Sequence, residues 1–301
     1  MPDLGGARYL EPIMIYSSLD AFLDQGTAVL AKGPLSVVLV EDLCEVESTI
    51  RHQLKVGFAS VIALAGDGLA LPADLASQTH QITMDMHTPN AAINALNTLI
   101  AACPETTWLH YCYNAEYLFY PFCESRSVRE MLAFHAEERR DAMLTYVIDL
   151  YAPDLDQNPD AVAVEHAMMD RAGYFALARL DDSGKARERQ YDFFGGLRWR
   201  FEEHVPVGRR KIDRIGLFRA QQGLRLHPDH RFNIEEYNTY ACPWHHNLTA
   251  AIASFRVAKA LKANPGSTYD IKSFRWYNSV PFGWNSRQLM DLGLMEPGQW
   301  F

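Results

Sequence analysis

The sequence predicts a single-domain α/β protein built on a mostly parallel central sheet with helices on both faces. Three observations carry that expectation. Short, almost wholly apolar and β-branched runs recur, as in Leu35 to Val40 (LSVVLV) and Ser60 to Ala65 (SVIALA), which is the composition of strands covered on both sides. An amphipathic stretch separates these two, so strand, helix and strand fit within about 30 residues as a βαβ unit. Acidic or polar residues follow nearly every expected strand, at the edge where parallel sheets bind their ligands.

Residues 1–34 read as a lead-in, with a helical stretch near Ser17 to Leu30 between the breakers Gly5-Gly6 and Lys32-Gly33-Pro34. In the first unit, Val46, Ile50 and Leu54 recur every four residues among Glu45, Glu47, Arg51 and Lys55, an amphipathic helix that Gly57 ends. Gln81 to Met86 follows as a strand. Thr88-Pro89 then offers an N-cap with proline at the first helical position, Ile93, Leu96, Leu99 and Ile100 form an inner stripe, and Pro104 stops the helix. Trp108 to Tyr113 is the next strand. Ser127 and Glu130 have the spacing of a capping box, opening a helix to about Arg140, and Ala142 to Tyr151 is a strand. Residues 35–151 thus form a first α/β half. Residues 152–301 form a second half that begins with a charged, Asp-, Arg- and Gly-rich stretch to about Arg214, expected as loops. Short strands at Ile215 to Ala220 and Leu224 to Leu226, a mixed strand-helix segment from Thr249 to Ala263 and an aromatic tail complete it.

The net charge of −9 comes from 28 basic against 37 acidic residues, and no long basic block appears, which argues against a nucleic-acid partner. Five cysteines (Cys44, Cys103, Cys112, Cys123 and Cys242) include no CxxC pair, so neither a disulfide framework nor a structural zinc site is expected. Met1 to Ala31 lacks a basic start followed by an apolar run, and no apolar stretch reaches the ~18–20 residues of a membrane helix. A cytoplasmic protein without a transmembrane segment is the expectation.

At the strand ends stand Glu41 and Asp42, then Asp67, Asp85, and Asn114-Ala115-Glu116-Tyr117. Carboxylates so gathered accept hydrogen bonds from ribose hydroxyls and bind hard cations, although the same residue types also cap helices. No GxGxxG or GxxxxGK[ST] loop occurs, which removes the ordinary dinucleotide and P-loop enzymes. Arg198 and Arg200, alternating around Trp199, have the chemistry to grip a diphosphate or to form a solvated strand face. His227 and His230 frame Pro228-Asp229, and His245-His246 follow Pro243-Trp244; such loop histidines suit phosphate contact, a metal or proton transfer, although no H-x-x-x-H or C-x-x-C spacing supports zinc.

Four segments in order carry a resemblance. Leu39 to Leu64 offers Glu41-Asp42, then Ile50, His52, Leu54, Gly57 and Phe58. Trp108 to Leu118 (WLHYCYNAEYL) offers a Trp, an apolar strand, Glu116 and Tyr117. Arg210 to Arg256 offers a basic stretch, a strand, a histidine loop and Ala253-Ser254-Phe255-Arg256. The tail offers Ser286-Arg287-Gln288-Leu289 and Leu292-Gly293-Leu294. Together these resemble the bacterial family-2-like glycosyltransferases of GT-A fold, over about residues 35–296. The resemblance implies transfer of a sugar from a nucleotide-diphosphate sugar to a glycan or other hydroxyl acceptor. It implies residues 35–151 as the nucleotide-sugar-binding half and residues 152–301 as the acceptor-side half with its tail, with Glu41, Asp42, Asp67, Asn114, Arg198 and Arg200 as donor-binding residues and Glu116 as metal ligand.

The chain departs from that pattern where the family's Asp-x-Asp would hold a divalent ion: Tyr113 and Ala115 take the two Asp positions, and Ser254 stands where the family has His. Glu116 and the substrate phosphates still suffice for Mg²⁺ or Mn²⁺ at reduced affinity. Otherwise Arg198, Arg200, Arg210 or Lys211 would carry the leaving-group charge without metal. An inverting reaction needs a base for the acceptor hydroxyl. Asp229 is the first candidate and Glu116 the second. A nucleotide-sugar- or glycan-binding protein that has lost the chemistry is the alternative, and an unrelated α/β enzyme the third reading.

Overall fold

The computed structural model describes residues 14–240 and 247–300. Gly5-Gly6, Cys242, Pro243-Trp244, His245-His246 and the last residue lie outside the described residues. In chain order the strands are β1 (Ile15–Tyr16), β2 (Leu35–Leu39), β3 (Ser60–Ala65), β4 (Thr79–Thr83), β5 (Trp108–Tyr113), β6 (Glu116–Phe119) and β7 (Ala142–Tyr151). They continue as β8 (Met168–Asp170), β9 (Phe175–Leu180), β10 (Ala186–Phe194), β11 (Asp213–Arg219), β12 (Ala250–Ser254) and β13 (Ser279–Pro281). The helices are α1 (Leu19–Gln25), α2 (Val46–Lys55), α3 (Ala73–Ala76), α4 (Ala91–Ala102), α5 (Val128–Glu137), α6 (Gly196–Arg200), α7 (Arg256–Ala263) and α8 (Ser286–Asp291).

The main sheet runs β1-β4-β3-β2-β5-β11-β7-β12-β6, with β8 and β13 continuing from β7. Strands β1, β4, β3, β2 and β5 pair in parallel, as do β7 and β12, while β11 lies antiparallel between β5 and β7. The sheet is therefore mostly parallel, and residues 152–301 contribute β11 and β12 to the same layer as residues 35–151. Both sheet faces are apolar because both are covered. Val37, Leu39, Ile62, Leu64, Leu109 and Tyr111 pack with Leu96, Leu99 and Ile100 of α4 on one face. The alternating set Val38, Val61, Ala63 and Cys112 packs with Val46 and Ile50 of α2 on the other. That two-sided burial is why these strands read as continuous apolar runs rather than as alternation.

Ser127 and Glu130 form the expected capping box at the start of α5, with each side chain bonding the other's backbone N–H. Other expectations shift. β4 begins two residues before Gln81, in register with Val61 of β3. The cap of α4 is Asn90 in the left-handed region (φ 61°), while Thr88 donates its hydroxyl to the Asp85 carbonyl. Leu224 to Leu226 makes a single bridge, Leu226 to Phe232, instead of a strand. The charged stretch expected as loops contains the hairpin β9–β10, whose charged positions escape alternation because Arg179 turns inward onto Asp192 and Asp213. Among the described residues no helix is long and apolar enough to cross a membrane.

Candidate functional site at the carboxyl edge of the sheet

Register sets the site. Leu39 pairs with both Leu64 and Tyr113, and Ser254 pairs with both Asp149 and Glu116. The segments that leave β2, β5 and β12, and the last turn of β7, consequently meet along one edge.

Asn114 ties the first two together. Its side-chain oxygen accepts from the Glu41 N–H at 3.0 Å, and its Nδ2 donates to Asp42 Oδ1 at 2.7 Å and to the Cys44 carbonyl at 2.8 Å. Glu41 accepts two hydrogen bonds from Arg256, at 2.7 and 2.6 Å, while the Arg256 guanidinium lies 3.6 Å above the Tyr113 ring. Asp42 accepts from Lys259 Nζ at 2.9 Å. Such bidentate and charge-assisted pairs are both strong and directional.

Glu116, 1% exposed, sits one layer deeper. Its Oε2 accepts from Arg214 at 2.6 Å and from the Tyr113 N–H at 2.8 Å, and its Oε1 accepts from the Ser254 hydroxyl at 3.0 Å. Burial alone would raise this carboxyl, but the Arg214 and Arg256 charges and the two hydrogen bonds bring it down to about 2. It stays ionised at any working pH. Arg214 in turn lies 4.9 Å over the ring of Tyr111, whose hydroxyl hydrogen-bonds His230 Nδ1 at 2.9 Å.

A second cluster begins at Asp149, fully buried near the end of β7. Its Oδ2 accepts from the Leu197 N–H at 2.9 Å, while Oδ1 faces Arg198 Nε at 3.6 Å, beyond hydrogen-bond distance. Burial, only partly offset by Arg198, pushes this carboxyl up to about 6. The chain can approach so closely only through Gly196, which has φ 61°; a Cβ there would lie 2.8 Å from Asp149 Oδ2. Arg198 donates to the Lys211 carbonyl at 2.7 Å. Arg200 donates to Asp170 at 2.8 Å and to the Phe274 carbonyl at 2.7 Å, and Asp170 also accepts from the Tyr151 hydroxyl at 2.6 Å.

The residues singled out by sequence thus divide. Glu41, Asp42, Asn114 and Glu116 belong to one hydrogen-bonded network. Asp67 lies in the exposed Gly66–Gly68 turn at the same edge, and among the described residues no hydrogen bond or ion pair joins it to the others. Arg198 and Arg200 stand on a helix rather than a strand, with their guanidiniums turned inward onto carbonyls and carboxylates. Asp229 is exposed and paired with Arg231; its loop reaches the network through the neighbouring His230. Both Glu116 oxygens are engaged, so a divalent ion there would have to displace Arg214, and the half-exposed Glu41 and Asp42 are the more accessible oxygen donors. Among the described residues no group of three or more His, Cys, Asp or Glu is placed to hold a metal ion.

Arg214, Arg256 and Lys259 are the members that sequence reasoning passed over. For Arg256 a signal existed, since it directly follows the last residues of β12 at the edge where ligands bind. Arg214 gave none, because its partner lies 98 residues away. No protein-family model matches the chain, and no curated protein matches it in sequence.

Proposed function

We propose that the chain is a glycosyltransferase of GT-A type, moving a sugar from a nucleotide-diphosphate sugar to a glycan or other hydroxyl acceptor. The observation that carries this reading is the joining of Glu41, Asp42, Asn114 and Glu116 with Arg214, Arg256 and Lys259 along the carboxyl edge of parallel strands. That edge is where ligands sit in such sheets. The carboxylates suit ribose and sugar hydroxyls. Arg256 and Lys259, the outer cations, suit the diphosphate that leaves, whose growing charge fixed cations stabilise. With Glu116 held by Arg214, the reading favours a metal-independent site, and any Mg²⁺ or Mn²⁺ would depend on Glu41 and Asp42. Asp229 is the proposed base because it is exposed on a loop adjoining the network, whereas Asp149 and Glu116 are enclosed.

A second reading, a nucleotide-sugar- or glycan-binding protein on the same scaffold, is favoured by Tyr113 and Ala115 at the positions where the resemblance has Asp. One experiment separates the two. Thermal unfolding is followed with UDP-, GDP- and CDP-sugars, with and without Mn²⁺, and the same mixtures are assayed for release of nucleoside diphosphate. A ligand at one hundred times its Kd adds about 2.7 kcal/mol, so the midpoint should rise, without Mn²⁺, for at least one nucleotide and stay unmoved in Arg256→Ala. A rise with diphosphate release across acceptors supports transfer. A rise without release supports the binding protein. No rise with any nucleotide sinks the transferase and the nucleotide-sugar-binding form of the second reading.

A further inference from the structure

On the flank of the second cluster, aromatic rings follow one another at the surface. Phe175 packs against Trp199 with centroids 6.5 Å apart, Trp199 against Trp276 at 6.5 Å, and Trp276 against Tyr277 at 4.8 Å. Three of the four are well exposed: Phe175 by 43%, Trp199 by 42% and Tyr277 by 81%. The two indoles are also held in place, which a casual surface ring is not. Trp199 sits between Arg198 and Arg200, both anchored inward, so the helix has its indole facing out. The Trp276 Nε1–H donates to buried Asp170 at 2.7 Å, and the Arg200 guanidinium lies 4.8 Å from its ring. Gly173 (φ 96°) passes beside both indoles, and a Cβ there would stand 3.2 Å from Trp199 and 3.6 Å from Trp276.

We infer that this shelf of Trp199, Trp276 and Tyr277, closed at one end by Phe175, binds a glycan chain. A pyranose ring offers an apolar C–H face to an aromatic ring and hydroxyls around its rim. The shelf matches both demands. Its two indoles are preorganised, and charged or amide side chains border the rings: exposed Arg171, which donates to the Asn278 side chain at 3.3 Å beside Tyr277, and exposed Arg275 next to Trp276. A protein partner would need an apolar centre free of such charges and a larger buried area. The shelf is also continuous with the sheet edge, because α6, which carries Trp199, rests its Leu197 N–H on Asp149, and Asp149 is in register with Ser254, the residue that bonds Glu116. As the acceptor subsite of a transferase the inference rests on the function proposed above; as a glycan-binding surface it stands without it.

The test uses the full chain on a panel of immobilised microbial and plant glycans, followed by titration of the strongest soluble oligosaccharide while tryptophan fluorescence is read. Wild type should bind, Trp199→Ala and Tyr277→Ala should each weaken binding about tenfold, the size of a lost ring contact, and Trp199→Phe should recover most of it. Tyr269→Ala, exposed and outside the ring series, should bind as wild type. Unchanged nucleotide-induced thermal shifts in Trp199→Ala would show that the fold persists. Glycan binding without any nucleotide shift keeps the shelf and removes the transferase. A nucleotide shift with no glycan bound, or equal binding by the ring variants, overturns the shelf. So does sedimentation showing that wild type dimerises and Trp199→Ala does not, since the occupant would then be a second copy.

Discussion

Glu116 and Arg214 illustrate how a residue can look like a ligand and act as an anchor. Two unlike charges buried this deeply are costly to desolvate, and their attraction offsets that cost only with good geometry and further hydrogen bonds. Here Tyr113, Ser254 and Arg214 supply them. Glu116→Gln should therefore destabilise the fold by about 3–5 kcal/mol, because it leaves Arg214 charged and buried. Arg214→Met should cost a similar amount. The double variant should lose clearly less than the two singles combined, as partners in one network couple. Urea midpoints for the four proteins check this, and additive losses would mean that the pair is not coupled. This residue-scale arrangement was half legible. The acidic signals after β2 and β5 are local and were readable, so Glu41, Asp42, Asn114 and Glu116 could be named together. Their cationic partners come from more than 90 residues further along the chain, and no local pattern marks such a pairing.

At the scale of elements, what was legible followed the strength of local physics. β3, β5 and β7 have the bounds that their apolar runs dictate, and the capping box of α5 is as its Ser-x-x-Glu spacing requires. The hairpin β9–β10 and the short helix α6 were hidden, because their order comes from tertiary contacts. α6 is only five residues long and opens on Gly196, too short to form on propensity alone, and is held by Asp149 and Asp170 instead. Gly196→Ala tests that dependence. The new Cβ would meet Asp149 Oδ2 at 2.8 Å in a backbone region that disfavours side chains. A loss of about 1–3 kcal/mol is expected, accompanied by a changed tryptophan emission as Trp199 shifts. An unchanged urea midpoint and spectrum would show that α6 does not lean on Asp149.

Across the whole molecule, buried imidazoles set the response to acid. His110 and His135 are 0% and 5% exposed, and each bonds a carbonyl, Gly216 at 2.8 Å and Ala142 at 2.9 Å. Burial first, and nearby arginines second, push His110 down to about 3 and His135 down to about 4. In the unfolded chain a histidine titrates near 6.5. Below that pH the unfolded state binds the extra protons, so each contributes stability that is complete above about 6.5 and lost as pH falls toward the folded value. Asp149 works in the opposite sense. Its carboxyl, raised to about 6 in the fold, takes up a proton on acidification before the unfolded state does, and so offsets one histidine over that range. Glu116 adds its own loss as pH falls from the ordinary carboxylate range toward about 2. His52 and His230, pushed down by burial to about 4 and about 3, add to the loss, so as pH falls from 7 to 5 four histidines against one carboxyl should bring the slope toward about 4 kcal/mol per pH unit, the linkage of three net protons. At about 0.15 M salt, screening limits the opposing relief from the protein's net negative charge. Urea unfolding at pH 7, 6 and 5 measures the slope directly. In His135→Gln, which keeps a donor for the Ala142 carbonyl but does not titrate, the slope should fall by about 1.4 kcal/mol per pH unit, because one buried imidazole fewer is linked to folding. If the variant keeps the full slope, His135 is not among the groups whose burial makes the fold acid-sensitive.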